Sequence, residues 1–348
     1  MDGALAAAAS QLGRDRAHRL PGAVRVQRSR GGRGLPAAEP AAGPGRRAGS
    51  LTETPGVRLA HRLAVLTAAA TGVLIVFGGL VTNTGAALAV PDWPTTFGHN
   101  MFLFPPSQMV GGVFYEHSHR LLGALVGGLT VGLAAILWRR GGRWRALAVA
   151  AALLVVLQGV VGGLRVVLQT EALAMIHGPL AQAFFALTVT IALLTSPRMA
   201  APALTVDATT RRLTLTAAAT VYLQIVFGAL LTHAGYLGLH LAGALAVFVL
   251  VPIVTARLRH GGDPVAAPAA RALLALLGLQ LLLGVGSYLV RFSAIWIPGG
   301  QLTMLAAPVA HRLAAGLVLA AVVVLAVRVL ASARPAVLDV PGVLGVVS

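Results

Sequence analysis

The sequence predicts an all-α integral membrane protein with eight transmembrane helices, arranged as two pseudo-symmetric four-helix bundles with both termini cytoplasmic. Three observations carry that prediction. The first is composition: 57% of the 348 residues are hydrophobic and 11% are charged, whereas a soluble domain carries about 25% charged residues. The second is a set of eight apolar runs, each close to the roughly 20 residues that cross a bilayer as a helix. The third is a repeat, in which landmarks of the first four runs return in the last four.

Residues 1–56 are rich in Ala, Gly, Pro and Arg and have no sustained apolar period, so they are read as a disordered tail. The runs then fall at about 60–82, 117–138, 146–168, 172–196, 212–232, 235–257, 271–291 and 303–328. Leu63 to Thr82 and Leu213 to Thr232 hold no Asp, Glu, Lys or Arg at all; the last run is interrupted by His311 and Arg312. The expected organisation is an N-terminal bundle over 57–197, a C-terminal bundle over 198–330 and a tail over 331–348.

Orientation follows from arginine in the connections, because short cytoplasmic loops collect basic residues. Arg58, Arg62, Arg139, Arg140, Arg143, Arg145, Arg198, Arg211, Arg212, Arg257, Arg259, Arg271, Arg328 and Arg334 all fall on one side. That side is the cytoplasm for a cell inner (plasma) membrane, or the matrix for a mitochondrial inner membrane. The net charge of +17 therefore reads as a topology signal. Membrane lipid, and not nucleic acid, is the expected surroundings. The chain has no cysteine, so disulfides, thiolate metal sites and cysteine nucleophiles are excluded.

The repeat is explicit in residues. Ile75-Val76-Phe77-Gly78-Gly79 in the first run returns as Ile225-Val226-Phe227-Gly228-Ala229 in the fifth. Gln158 and Gly162 in the third match Gln280 and Gly284 in the seventh, and His119, His177, His240 and His311 fall on runs two, four, six and eight. An even number of helices per unit makes this a parallel repeat about an axis along the membrane normal.

Ionisable groups inside a bilayer are costly and so are functional candidates. From each of these histidines to the next cytoplasmic arginine there are 17 to 21 residues, or about 25–32 Å of helix. All four are thus expected near one level, toward the outer face. One histidine per helix at matched depth suits a flat metal macrocycle held from both faces, so bis-histidine heme ligation fits, with His119 paired to His177 and His240 to His311. The alternative is that each histidine is interfacial or bonds a neighbouring helix. Arg120, Arg165, Arg291 and Arg312 lie near the same level. They are candidate partners for heme propionates, since arginine binds carboxylates in a fork; snorkelling to the interface is the other reading.

Glu116 precedes His119 by three residues and shares its helical face, while Leu237 holds the equivalent place in the second half. The connection 83–116 is long, proline-rich and aromatic, with Pro91-Asp92-Trp93-Pro94 and Phe102-Leu103-Phe104-Pro105-Pro106. It is expected either at the headgroup level or as a lid over the first bundle. One acid and one covering loop suggest a substrate site in the first half and a cofactor site in the second. The other reading of Glu116 is a boundary residue or a partner of Arg120.

These residues resemble the heme A synthase family. The matching stretches are Gly78-Gly79-Leu80-Val81-Thr82, Leu88-Ala89-Val90-Pro91-Asp92-Trp93-Pro94, Glu116-His117-Ser118-His119-Arg120, Ile176-His177-Gly178-Pro179-Leu180-Ala181, His240-Leu241-Ala242 and Ala310-His311-Arg312. The resemblance runs over about residues 60–330. It implies oxidation of a ring methyl of heme O to the formyl group of heme A, for cytochrome oxidase. It further implies that His119 and His177 hold the substrate heme, that His240 and His311 hold a heme b cofactor, and that Glu116 is the essential glutamate. A heme O synthase and cytochrome oxidase assembly factors are the partners it implies, and a homo-oligomer is compatible with it. Many bacterial members carry a cysteine pair in the first outer loop; here Thr95 and Thr96 stand in that region. The rival classes are a di-heme b-type electron-transfer cytochrome without catalysis of its own, and a transporter, which would need broken helices and polar midplane groups.

Overall fold

A backbone crossing hydrocarbon has no water to bond its N–H and C=O groups, so it closes them internally as helix. The structure, a computed structural model, describes residues 55–293 and 299–331. They form eight long helices: α1 (Pro55–Asn83), α2 (Gly112–Arg139), α3 (Arg143–Leu168), α4 (Glu171–Thr195), α5 (Ala208–Ala234), α6 (Leu237–Leu258), α7 (Ala266–Phe292) and α8 (Gly300–Leu330). All eight are long and apolar enough to cross a membrane, and no strand joins them among the described residues. The chain is a multi-pass membrane protein. The tails expected over 1–56 and 331–348 lie outside the described residues, apart from Pro55, Gly56 and Ala331.

Most helices overrun the apolar runs. α3 begins at Arg143, before the run expected from 146, and α5 begins at Ala208, not 212. Hydropathy ends where the first charge appears, while the hydrogen-bonded helix continues into the headgroup region. α1, α2 and α7 each begin five residues early, at Pro55, Gly112 and Ala266; in α2 this places Glu116 inside a helix and leaves 84–111 as the connection before it. Gly111 precedes it at φ 56°, a left-handed conformation that suits glycine.

Within the first four helices, α1 packs on α2 and α4, and α3 on α2 and α4; within the last four, α5 packs on α6 and α8, and α7 on α6 and α8. α1 with α8, α4 with α5 and α4 with α8 make the contacts between the sets. Each set has its own buried apolar cluster. One gathers Ala60, Ala64, Leu133, Leu137, Ala148, Ala151 and Ile191. The other includes Val251, Val254, Leu273, Val322 and Leu325. These residues lie toward the arginine-rich helix ends, away from the four histidines.

The arginine-rich end also holds a buried ion pair. Arg328 at the end of α8 and Asp263 before α7 are 2% and 5% exposed at their side chains, with Nη2 to Oδ2 at 2.7 Å. Arg328 also donates to the carbonyl of Pro202, so one guanidinium ties α8 to two connections. Burial opposes the charge on Asp263, but hydrogen bonds from Arg328 and from the N–H groups of Ala266 and Val265 outweigh it and hold the carboxyl below its usual range.

Candidate functional site

The four histidines meet in the expected pairs. The rings of His119 (α2) and His177 (α4) have centroids 6.4 Å apart at an interplanar angle of 72°. Those of His240 (α6) and His311 (α8) are 6.3 Å apart at 69°. The near-identity of the two geometries follows from the repeat, since equivalent helices hold equivalent residues. Each imidazole lies against a glycine of the preceding helix. A Cβ added to Gly78 or Gly284 would come within 3.1 Å of Cε1 of His119 or His311; at Gly162 the distance to His177 is 2.8 Å, and at Gly228 to His240 it is 3.5 Å. These glycines are therefore cradles for rings, a specific use of small residues in membrane helices.

Glutamines complete three of the cradles. Gln158 Nε2 lies 3.1 Å from both ring nitrogens of His177 and donates to its backbone carbonyl at 3.0 Å. Gln224 Nε2 lies 3.1 Å from His240 Nδ1 and donates to that residue's carbonyl at 2.9 Å. Gln280 Nε2 is 3.3 Å from His311 Nε2. Sequence reading used Gln158 and Gln280 only as repeat landmarks and missed Gln224. The available signal was a Gln four residues before each ring-facing glycine in runs three, five and seven.

Glu116 and Arg120, one turn apart on α2, fasten the loop 84–111. Glu116 is 5% exposed. Its Oε2 accepts the N–H of Val90 at 2.9 Å, and its Oε1 accepts from Arg120 Nη2 at 2.9 Å. Arg120 donates further to the carbonyls of Val90, Asp92 and Thr95. The guanidinium expected at a propionate is thus engaged by the loop. His117, on the other side of α2, is buried against Phe104 at 5.0 Å between centroids, with its Nδ1 bonded to the Thr96 hydroxyl at 3.1 Å. The Trp93 ring fills the space a side chain at Gly163 of α3 would need. The loop therefore covers the Gly112 end of α2 and the Leu168 end of α3, as a lid would.

A tight turn stiffens the loop where a cysteine pair is absent. Asp92 accepts from the Thr95 hydroxyl and from the N–H groups of Phe97 and Gly98. Burial works against its charge, yet those hydrogen bonds prevail and hold the carboxyl at about 2, below the ordinary 3.8. Thr95 and Thr96 both make polar contacts, with Asp92 and His117 respectively.

The remaining arginines differ. Arg312 Nη1 reaches the carbonyl of Gly79 in α1 at 3.5 Å, beside the glycine that backs His119. Among the described residues, Arg165 and Arg291 make no hydrogen bond or ion pair, so both guanidinium groups are open to an anionic partner. His61 and His233 are accounted for by contacts elsewhere. His61 bonds the Ala192 carbonyl at 3.0 Å, and His233 pairs with Glu171 at 2.8 Å. A surface hollow beside Arg259, His260 and Arg271 lies at the arginine-rich helix ends, remote from the paired imidazoles.

The donor set limits what could bind. Among the described residues no group of three or more His, Cys, Asp or Glu could hold a metal ion, so a protein-only tetrahedral site is not built here. Two imidazoles facing each other across a gap supply axial ligands only, which suits a metal whose other ligands come from a macrocycle. The glycine cradles fit that use, and so do the Nδ1 atoms of His119 and His311, buried with no hydrogen-bond partner among the described residues. The residues fit heme.

The model of a family described as "Cytochrome oxidase assembly protein" matches residues 61–239, just over half of the chain. A protein of Shouchella clausii (strain KSM-K16) named "Heme A synthase" is 35% identical over 121 residues, 33% of this chain and 39% of that protein. A second so named, from Alkalihalophilus pseudofirmus (strain ATCC BAA-2126 / JCM 17055 / OF4), is 35% identical over 113 residues, 30% of this chain and 37% of that protein. The matched stretch thus spans about two fifths of these relatives' length.

Proposed function

The chain belongs to the cytochrome oxidase assembly protein family, and from that premise we propose that it is a heme A synthase, oxidising a ring methyl of heme O to the formyl group of heme A. The observation that carries this reading is two matched imidazole pairs of which, among the described residues, only the first has an acid and a covering loop. His119 and His177 would hold heme O as substrate, in a unit spanning 57–197. His240 and His311 would hold a heme b cofactor, in a unit spanning 198–330. Heme, when bound, supplies the oxidising chemistry, and the protein supplies position and charge.

The methyl carbon would pass through an alcohol to a hydrated aldehyde, which loses water; each of the two oxidations adds oxygen from water or dioxygen and passes two electrons from the carbon to dioxygen or to an external electron acceptor. Glu116 stabilises positive charge developing at that carbon, or moves a proton from it, and through Val90 it keeps the loop closed over the site. Trp93 and the Asp92 turn exclude water on the same side. Arg165 is the preferred propionate partner of the first site, because Arg120 can serve there only by giving up loop carbonyls. Arg312 and Arg291 take that role at the second. The orientation follows the arginines: both termini cytoplasmic in an inner (plasma) membrane, or facing the matrix in a mitochondrion. A heme O synthase would supply the substrate, and cytochrome oxidase assembly would consume the product.

The test is expression in cells supplied with heme O, followed by extraction and chromatography of the hemes. Heme A is the expected product. Recovery of heme b with unchanged heme O would favour a di-heme b-type electron-transfer cytochrome, the reading that the similarity of the two pairs would support if Glu116 and the loop had no part in chemistry.

A further inference from the structure

The arginines at the helix ends are not all engaged. In the hairpin between α2 and α3, tryptophans take them. Arg140 lies 4.4 Å and Arg143 5.1 Å from the Trp144 ring, and Arg145 lies 5.5 Å from that of Trp138. In the matching hairpin between α6 and α7, no aromatic ring stands beside Arg259 or Arg271 among the described residues. The acids of this end are taken as well. Asp263 is held by Arg328 at 2.7 Å, and Asp207 faces Arg257 at 3.7 Å. Among the described residues Arg259 and Arg271 thus have no ion pair, and the Nε of Arg259 is buried with no hydrogen-bond partner. A buried donor left unsatisfied is costly, and an anionic acceptor would remove that cost.

Arg259, His260 and Arg271 line a hollow of about 450 Å³, whose wall continues on Leu274 and Ala275 of α7. The lining holds two arginines and no carboxylate. From Arg271 one face of α7 runs into the membrane span through Ala275, Gly278 and Leu282. Ala275 and Gly278 are exposed, and a Cβ at Gly278 would meet nothing within 4 Å, while Leu282 is 72% exposed. The two small residues leave a shallow channel leading away from the arginines. We propose that the hollow binds an anionic phospholipid, with its phosphate on Arg259 and Arg271 and an acyl chain along Ala275 and Gly278. Arginine suits phosphate because its N–H groups form a fork. A zwitterionic headgroup would bring an ammonium among cations, so a net negative one is favoured. Basic pockets between membrane helices recognise lipid headgroups in this way. Bound there, the lipid bridges the end of α6, the helix of His240, to α7.

Full-length protein in detergent, stripped of lipid, is titrated with phosphatidylglycerol, phosphatidylcholine or inorganic phosphate, and retained lipid is counted by native mass spectrometry. The wild type is expected to hold one phosphatidylglycerol in preference to phosphatidylcholine. A basic side chain near a membrane surface contributes a factor of roughly five. Arg259→Gln and Arg271→Gln should therefore each weaken retention by roughly fivefold, and together by roughly 25-fold. Arg143→Gln, whose guanidinium is stacked on Trp144, should leave it unchanged. Gly278→Leu fills the channel without changing charge and should also weaken retention, which keeps the test standing if the arginine variants fail to fold. Retention indifferent to Gly278→Leu and to the two arginines would overturn the proposal, as would equal retention of phosphatidylcholine. An equal loss in Arg143→Gln would show general charge attraction and overturn the site. Displacement of the lipid by inorganic phosphate, with Gly278→Leu silent, would assign the hollow to free phosphate and overturn the lipid.

Discussion

Glu116→Gln separates a chemical from a mechanical role for the buried acid. The substitution keeps the shape of the side chain and removes its charge. Glu116 now accepts from the Val90 N–H and from Arg120, each at 2.9 Å. A glutamine has one acceptor oxygen, so its NH₂ must face one of these donors. Removing one partner of a buried ion pair costs about 3–5 kcal/mol when the other charge is left alone. Arg120 is not left alone, because it still donates to the carbonyls of Val90, Asp92 and Thr95. The loss is therefore nearer that of a single hydrogen bond to a charged group, about 2 kcal/mol, or roughly a 30-fold larger population of the opened loop. Hydrogen exchange of residues 84–111 in detergent, read by mass spectrometry against α6 as an internal standard, measures it. Exchange of the loop should rise by about that factor, with heme still bound and aldehyde formation blocked. Unchanged exchange would refute the clamp, and turnover at the wild-type rate would remove Glu116 from the mechanism.

The Arg328–Asp263 pair should be equally exposed to test. Asp263→Asn leaves a guanidinium that is 2% exposed at its side chain without its anion, and thermal stability in detergent should fall by about 3 kcal/mol. In the wild type, Asp263 and Asp92 both have carboxyls depressed in the folded protein. Their contribution is full above the unfolded value of about 3.9 and is lost as pH falls below it, down to about 2 for Asp92. Thermal melts between pH 7 and 3 should show the loss only below about pH 4, and Asp263→Asn should flatten the part due to that residue. For orientation, a reporter active only in the cytoplasm should work when fused after Ser348 and fail when inserted at Phe102-Leu103; the reverse pattern would invert the assignment.

Much of the fold was legible because a membrane helix is a local property. Apolar runs set the eight helices, and matched depth brought His119 to His177 and His240 to His311. The helix starts were less legible: Gly112–Ser118 carries Tyr115, Glu116 and His117, and polarity there reads as loop although the backbone is helical. What could not be read was contact between distant segments. That Arg120 would meet three loop carbonyls depends on the path of residues 90–95. Arg328 read as a topology arginine, and only packing shows it buried on Asp263. The glutamines beside His177, His240 and His311 fell between these cases. Their spacing was visible in the sequence, but their meaning appeared only once each amide was seen at a histidine.

The central claim is that four histidines form two bis-imidazole heme sites. It is tested most directly by the pyridine hemochrome content of the purified protein, compared with His177→Ala and His240→Ala. Two hemes per chain are expected when heme O is supplied, with each substitution removing one and leaving the spectrum of the other intact. Wild-type protein without a Soret band, or variants that keep the full heme content, would contradict it.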